Sequence, residues 1–311
     1  MTLPLRALSP AAGSGVDTAA RLAAAMRPGR LRIGVIGTGR AGSALAAALD
    51  RAGHHVVAGT TSARELPLFA ELGELPRLPA DEVAALADLV LVTVPDDTLA
   101  DLVRGLAVTG AIRPGQIVVH AAGRYGLDVL APATQAGALP IALHPAMTFS
   151  GGVADLARLG EASIAVTAPP QFRVVGEALA VELGGEPVFV PDELRTLWHA
   201  ALTHGANHLV TLVGQCVDLL TTAGVAEPER VLGPLMSAAL DNALRQGDAG
   251  LTGPISRGDA GTVAAHVRDL ATSPALDAYL ALARATVDRA VAAGRLNTYA
   301  ADDVRGAIEK A

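Results

Sequence analysis

Residues 31–36, Leu-Arg-Ile-Gly-Val-Ile, form a short apolar run that ends in Gly37-Thr38-Gly39-Arg40-Ala41-Gly42. The chain then passes directly into Ser43-Ala44-Leu45-Ala46-Ala47-Ala48-Leu49. Strand, tight glycine turn and helix in that order leave few folds open. Gly37 permits the turn, Gly39 lets the backbone approach a pyrophosphate, and Gly42 lets the helix pack closely on the strand. The helix N-terminus then offers unpaired N–H groups and the positive end of its dipole to the phosphates. The pattern predicts a dinucleotide site, with Gly37, Thr38, Gly39, Arg40, Ala41 and Gly42 around the pyrophosphate. A protein-kinase glycine loop has the same spacing, but there a strand follows, and no kinase catalytic loop lies downstream. The remaining alternative is a glycine-rich turn that binds nothing.

A chain of 311 residues is long enough for two domains, each with its own core. The hydrophobic fraction is 51%, and the mean hydropathy is +0.39. Every long apolar run is nevertheless broken by Gly, Pro or a polar residue before about 18 residues, so no membrane span is expected. A net charge of −7 argues against a nucleic-acid surface, which needs clustered Lys and Arg. One cysteine, Cys216, excludes an internal disulfide and suits a cytoplasmic protein. It sits in an apolar helical pattern, as a structural thiol does. The one lysine, Lys310, is at the C-terminal end, which makes a lysine general acid or Schiff base inside a cleft improbable. Residues 1–29, rich in Ala, Gly, Pro and Ser, lack the charged start and continuous apolar stretch of a signal peptide. They read as a poorly ordered tail with one or two helical turns in 18–26.

Strand and helix patterns alternate as far as residue 190. A second strand is expected at 54–59, followed by the loop Thr60-Thr61-Ser62-Ala63-Arg64. A site for NAD usually places an acidic residue at this strand end to bind the ribose 2′-hydroxyl. Here there is none. Thr61, Ser62 and Arg64 supply instead the chemistry of a 2′-phosphate pocket, which favours NADP. Residues 89–94 read as a fully buried parallel strand. Its end, Val94 and Pro95, should line the ribose or nicotinamide side, while Asp96 or Asp97 caps the helix that follows. Further strands are expected at 116–120, 140–145, 163–167 and 187–190, with a helix at 171–183 before the last. The pattern is that of an α/β Rossmann domain over 30–191, its doubly wound sheet mostly parallel. From Pro191 the texture changes to helix, with Asp192 as N-cap and a long helix over 193–222, so residues 192–311 read as an all-α domain for substrate binding and dimerisation.

The long helix carries His199, Thr203 and Asn207 at i, i+4 and i+8, fanned along one side. Such groups among Ala, Leu and Val are costly to bury without partners, so a cleft between the domains is their natural outlet. There His199 can donate a proton near neutral pH, and Asn207 can hold a carbonyl oxygen. Satisfied interdomain polar residues would give the same pattern. His204 and His208 have the spacing of a helical metal pair, but Gly205 stands where a metalloprotease has its glutamate and no third ligand is evident, so no metal is expected. His144-Pro145 follows a strand at its carboxyl end, where ligand sites collect. In residues 251–259, Leu-Thr-Gly-Pro-Ile-Ser-Arg-Gly-Asp, Gly253-Pro254 makes a turn and Asp259 caps a helix over 260–271. Arg257, held between turn and cap, is suited to grip a carboxylate or phosphate.

Four elements together resemble one family: Gly37-x-Gly39-x-x-Gly42, His144-Pro145 with Phe149 four residues on, His199-Ala200-Ala201 leading to Asn207, and Gly253-Pro254-x-x-Arg257-Gly258-Asp259. Its members pair a Rossmann-like domain with a helical domain of long-unassigned function, within the 6-phosphogluconate dehydrogenase-like superfamily. The resemblance covers about residues 30–290. Some members are regarded as an alternative type of ketopantoate reductase serving pantothenate synthesis; pyrroline-5-carboxylate reductases and β-hydroxyacid dehydrogenases are relatives at superfamily level. The superfamily often uses a lysine with an asparagine one helical turn later. This chain departs from that pattern, with His199 near the lysine's place, Thr203 one turn on and Asn207 at two turns. The resemblance implies an NADPH-dependent reductase of a small 2-oxo acid, with His199 as proton donor, Asn207 orienting the oxygen, His144 on the opposite wall, and Arg257, Asp259 and Thr203 as substrate ligands. An imine reductase or a non-catalytic NADP(H) sensor would share most of these features. A helical domain this apolar is also expected to form a homodimer.

Overall fold

The computed structural model describes residues 30–60 and 67–309. The tail at 1–29, the 2′-phosphate candidates Thr61, Ser62 and Arg64, and Lys310 lie outside the described residues. The described chain divides into two compact units, the first ending at Leu202 and the second beginning at Thr203.

The first unit is built on a sheet of seven strands in the order β2-β1-β3-β4-β5-β6-β7. These are β1 (Arg32–Ile36), β2 (His55–Gly59), β3 (Leu89–Val92), β4 (Ile117–His120), β5 (Leu139–Pro145), β6 (Ser163–Thr167) and β7 (Glu186–Phe189). Each overlaps a stretch where the sequence predicts a strand. Strands β1 to β5 are parallel, β6 runs antiparallel to β5, and β7 is parallel to β6. The carboxyl ends of β1, β3, β4 and β5 therefore open on one edge, and the order reverses between β1 and β3, where a doubly wound sheet offers its ligand crevice.

Both faces of this sheet are covered, which is why its strands read as unbroken apolar runs rather than alternating ones. Along β3, Leu89 and Leu91 join one core with Leu45, Leu49, Ile141 and Leu179. Val90 and Val92 join the opposite core with Leu99, Val103, Val118 and Leu130. Each such side chain taken out of water contributes about 1.5–3 kcal/mol. The helices responsible are α1 (Arg40–Arg51), α2 (Pro67–Ala70), α3 (Ala80–Leu86), α4 (Asp96–Val108), α5 (Ala131–Gln135), α6 (Ala154–Leu159) and α7 (Arg173–Glu182). Helix α8 (Arg195–Thr222) begins in the first unit and continues into the second. The second unit adds α9 (Pro228–Gln246), α10 (Ala260–Asp269), α11 (Leu276–Ala292) and α12 (Thr298–Glu309), with a core of Val263, Val267, Leu280, Val287, Val304 and Ile308.

The turn after β5 is held by a buried carboxylate. Asp155 accepts from the Ser150 amide at 2.9 Å, the Ser150 hydroxyl at 2.7 Å and the Gly151 amide at 2.7 Å, with Arg158 at 3.3 Å. Burial alone would raise the carboxyl, but these hydrogen bonds and the Arg158 guanidinium outweigh it and hold the group below the usual carboxylate range. A depressed carboxyl stabilises the fold above its unfolded titration range, and that contribution disappears as pH falls through the folded value. Asp155→Asn is therefore expected to destabilise at pH 7 by about 1–3 kcal/mol. Thermal melts should show the gap to wild type narrowing as pH drops toward 3; a gap independent of pH would contradict the assignment.

Candidate functional site

At the end of β1 the three glycines do different work. Gly37 has φ +99°, in the left-handed region, and a side chain there would strike the backbone of Thr93 at 2.7 Å. Gly42 lies where α1 crosses the turn: a Cβ would sit 2.0 Å from the Gly37 carbonyl oxygen and 2.4 Å from the Thr93 hydroxyl. Gly39 is unlike both. Its φ is −73°, and a Cβ there would meet nothing within 4 Å. Its own protein does not require glycine at this position.

Gly39 is the N-cap of α1 and provides no side-chain cap. The first intrahelical bond runs from the Ser43 amide to the Gly39 carbonyl at 2.9 Å, so the amides of Arg40, Ala41 and Gly42 point outward in the usual manner of an uncapped N-terminus. Arg40 is exposed and makes no hydrogen bond or ion pair among the described residues. Thr38 is buried, and its hydroxyl donates to the Thr60 carbonyl at 3.2 Å. Two further hydroxyls hold this loop. The Thr60 hydroxyl accepts from the Gly37 amide at 3.0 Å, and the Thr93 hydroxyl donates to the Gly37 carbonyl at 2.5 Å.

Val94 and Pro95 follow β3 at the same edge, Val94 half-buried and Pro95 exposed. The expectation that Asp96 or Asp97 caps α4 is corrected here. Pro95 is the N-cap, no side chain caps it, and both aspartates lie inside the first turn. Asp96 instead pairs with Arg124 at 3.1 Å. Asp192 is likewise no helix cap: Pro191 precedes a short 3-10 turn at Asp192–Leu194, and the Asp192 carboxylate accepts from the Leu127 amide at 2.6 Å. A carboxylate takes whichever unpaired amide the packing brings closest, and here that amide is 65 residues away in sequence.

Beyond β4 and β5 the first turns of α8 meet the sheet edge. Arg195 is fully buried, and its guanidinium donates to the carbonyls of Ala122 at 2.7 Å, Tyr125 at 3.0 Å and Ala165 at 3.4 Å. Burial lowers its pKa to about 10, with Asp192 acting against the fall, so it remains a cation at neutral pH. His120, also fully buried, accepts from the Ala122 amide at Nδ1 and therefore donates from Nε2 to the Gly126 carbonyl at 2.9 Å. One turn beyond Arg195, the Trp198 indole Nε1 donates to His144 Nδ1 at 3.1 Å. The rings of His144 and His199 lie edge to face, 5.7 Å between centroids and 87° between planes. Both crowd against Gly123, where a Cβ would lie 2.4 Å from His199 Cδ2 and 2.8 Å from His144 Nε2. Burial, and then the charges of Arg195, His199 and His120, push the His144 imidazole down to about 4. The structure thus brings together His144 and His199, two of the three catalytic candidates, with Trp198, Arg195 and Gly123 around them.

The other candidates belong to the second unit. Thr203 is half-buried and Asn207 exposed, so Asn207 escapes the desolvation cost that made it conspicuous in the sequence. His204 and His208 form a hydrogen bond, Nδ1 to Nδ1, at 2.9 Å. In the 253–259 turn, Gly253 and Gly258 have φ of +97° and +75°. Asp259 caps α10, as the sequence predicts, accepting from the Thr262 amide at 3.0 Å and hydroxyl at 2.7 Å. Those bonds, hydroxyl first, hold its carboxyl below the usual range. Arg257 is exposed and makes no hydrogen bond or ion pair among the described residues, and its charge adds to the lowering of the Asp259 carboxyl.

The sequence matches the Rossmann-like domain family over residues 16–145 and a domain of unknown function, DUF2520, over residues 162–286. No curated protein matches the chain. Among solved structures, a provisionally assigned NADP oxidoreductase from Bacteroides fragilis is 23% identical, with TM-score 0.68 over 83% of this chain and 98% of its own. A protein from Thermotoga maritima is 20% identical, with TM-score 0.62 over 84% of this chain and 98% of its own. The Plasmodium falciparum pyrroline carboxylate reductase, with NADP bound, is 11% identical, with TM-score 0.54 over 89% of this chain and 98% of its own. These likenesses establish a shared fold.

Proposed function

Because the chain joins a Rossmann-like domain to a DUF2520 domain, we propose that it is an NADPH-dependent reductase of a small 2-oxo acid, with ketopantoate the favoured substrate. The observation that carries the cofactor is Gly39. Glycine stands there although neither its backbone angles nor its neighbours demand one, and an uncapped helix N-terminus opens beside it. A pyrophosphate lying against that backbone supplies the missing reason. The loop 37–42 would hold the pyrophosphate, Arg40 and the α1 amides its charge, Val94 and Pro95 the ribose or nicotinamide side, and Thr61, Ser62 and Arg64 the 2′-phosphate. Bound there, NADPH supplies a hydride.

The protein's own residues supply the rest. His199 protonates the developing alkoxide, and His144 beside it hydrogen-bonds the same oxygen. In the second unit, Arg257 is assigned the substrate carboxylate and Asn207 and Thr203 the neighbouring oxygens; Asp259 acts through the turn that presents Arg257. A cyclic imine is the rival substrate class, since pyrroline carboxylate reductase shares the fold. The test is NADPH oxidation by the purified protein, followed by absorbance, with ketopantoate and with pyrroline-5-carboxylate. Saturable turnover with ketopantoate that NADH supports poorly is expected. Turnover with the imine alone would replace the substrate assignment, and NADPH binding without turnover on either would favour a sensor.

In the second unit, α8 and α9 expose Leu209, Val210, Val231, Leu235, Leu240 and Leu244, and α9 buries only Pro228 and Leu232. Apolar helix faces of this extent are normally covered, and we assign the cover to a second copy of the chain. Sedimentation equilibrium is expected to give a dimer, and Leu235→Glu combined with Leu240→Glu to shift it toward monomer. A wild-type monomer at micromolar concentration would remove the assignment. Among the described residues no helix is long and apolar enough to cross a membrane.

A further inference from the structure

We propose that Trp198 and Arg195 are positioning residues that lock His144 as a neutral imidazole with its proton on Nε2, so that His144 donates a hydrogen bond to the substrate oxygen while His199 alone delivers the proton. The inference rests on the reductase reading above and assigns separate tasks to its two histidines.

The lock follows from hydrogen-bond direction. An indole N–H is a donor only, so His144 Nδ1, 3.1 Å from Trp198 Nε1, must accept. In a neutral imidazole the remaining proton is then on Nε2. Nε2 makes no hydrogen bond among the described residues, and it faces the Gly123 backbone beside the His199 ring. A second proton could go only on Nδ1, where it would meet the indole N–H head-on.

The charged surroundings act in the same direction. The charged or titratable groups facing His144 are Arg195 and His199 on α8 and His120 on β4, and each disfavours an imidazolium. Among the described residues Arg195 has no carboxylate within ion-pair distance; three carbonyls from the β4 loop and β6 hold it. A buried cation fixed in this way both anchors the turn carrying Trp198 and His199 and repels charge from His144. His199, by contrast, makes no hydrogen bond among the described residues, so neither of its ring nitrogens is committed to a protein partner. Reduction adds a hydride to the substrate carbon and a proton to its oxygen; that proton leaves His199, while His144 keeps its own Nε2 proton throughout. A neutral imidazole N–H is an effective donor to a developing oxyanion, and it carries no charge that must be desolvated.

The test is nitrogen NMR on ¹⁵N-histidine-labelled full-length protein, with the His144 signals assigned by their loss in His144→Gln. Wild type at pH 6 is expected to show a protonated Nε2 and an unprotonated Nδ1. Trp198→Phe, which removes the donor but keeps an aromatic ring, should mix the two tautomers and lower kcat roughly ten-fold with unchanged NADPH affinity. Arg195→Lys should move the His144 titration less than Arg195→Met, and if the methionine variant fails to fold, Trp198→Phe still decides the matter. An Nδ1-protonated His144, or an imidazolium at pH 6, overturns the lock. The expected tautomer together with an unchanged kcat in Trp198→Phe overturns its role in turnover. If no carbonyl or imine substrate turns over at all, the reductase reading fails, and the spectra still decide the lock by themselves.

Discussion

His199→Ala is expected to lower turnover by about 10²–10⁴-fold, the usual contribution of a positioned general acid, while NADPH affinity stays within about two-fold of wild type. The separation between the two readouts is the point. His199 stands against Gly123 and His144, at the carboxyl ends of β4 and β5, whereas the glycine turn follows β1. A loss of turnover together with NADPH binding would mean that the helix had shifted and the imidazole had not been tested. Unchanged turnover would remove its role outright. His144→Gln offers a useful comparison, since a glutamine amide can still donate a hydrogen bond. A smaller loss there than in His199→Ala is the result that a donor beside a proton carrier requires.

The second large effect separates two glycines three residues apart. Gly42→Ala places a methyl 2.0 Å from the Gly37 carbonyl oxygen and 2.4 Å from the Thr93 hydroxyl, so α1 must move off the turn. Overpacking of this kind costs about 1–3 kcal/mol or more, and the variant should melt early. Gly39→Ala meets open space at an ordinary φ, and its melting should correspond to a change within about 1 kcal/mol. Its NADPH affinity, however, should fall at least roughly ten-fold, about 1.4 kcal/mol, because the methyl occupies the space a pyrophosphate needs. Calorimetric titration with NADPH alongside thermal melts reads both effects. If Gly39→Ala binds NADPH as wild type does, the turn is no pyrophosphate cradle.

Much of the first unit was legible because the signals are local. All seven strands announce themselves as short runs such as Leu89-Val90-Leu91-Val92, and both faces of that run are buried. The glycine turn was legible because its spacing is local, although the neighbour that crowds Gly37 and Gly42 is Thr93, from the next strand of the sheet, and Gly39 is crowded by nothing. Aspartates misled for the opposite reason. Asp96 and Asp192 follow prolines at helix starts, where capping is the local expectation, yet Arg124 and the Leu127 amide claim them from distant segments. Trp198 and Arg195 carried no readable signal, since an indole or a guanidinium in an apolar helix looks alike whether it faces solvent or anchors a neighbour. Where Asp259 met only local partners, the predicted cap was present.

Periodicity, turn chemistry and the glycine spacing were enough to specify a doubly wound sheet followed by helices, and to mark the edge where a dinucleotide would lie. They could not give the reversed direction of β6 and β7, which depends on how the chain returns through the Asp155-held turn. Nor could they join His144 to Trp198, 54 residues apart, or bring a buried guanidinium to three carbonyls beneath them. Those pairings are long-range. Local pattern fixes which face of an element is apolar, but the partner of a polar atom is settled by the packing that brings distant segments to the same place.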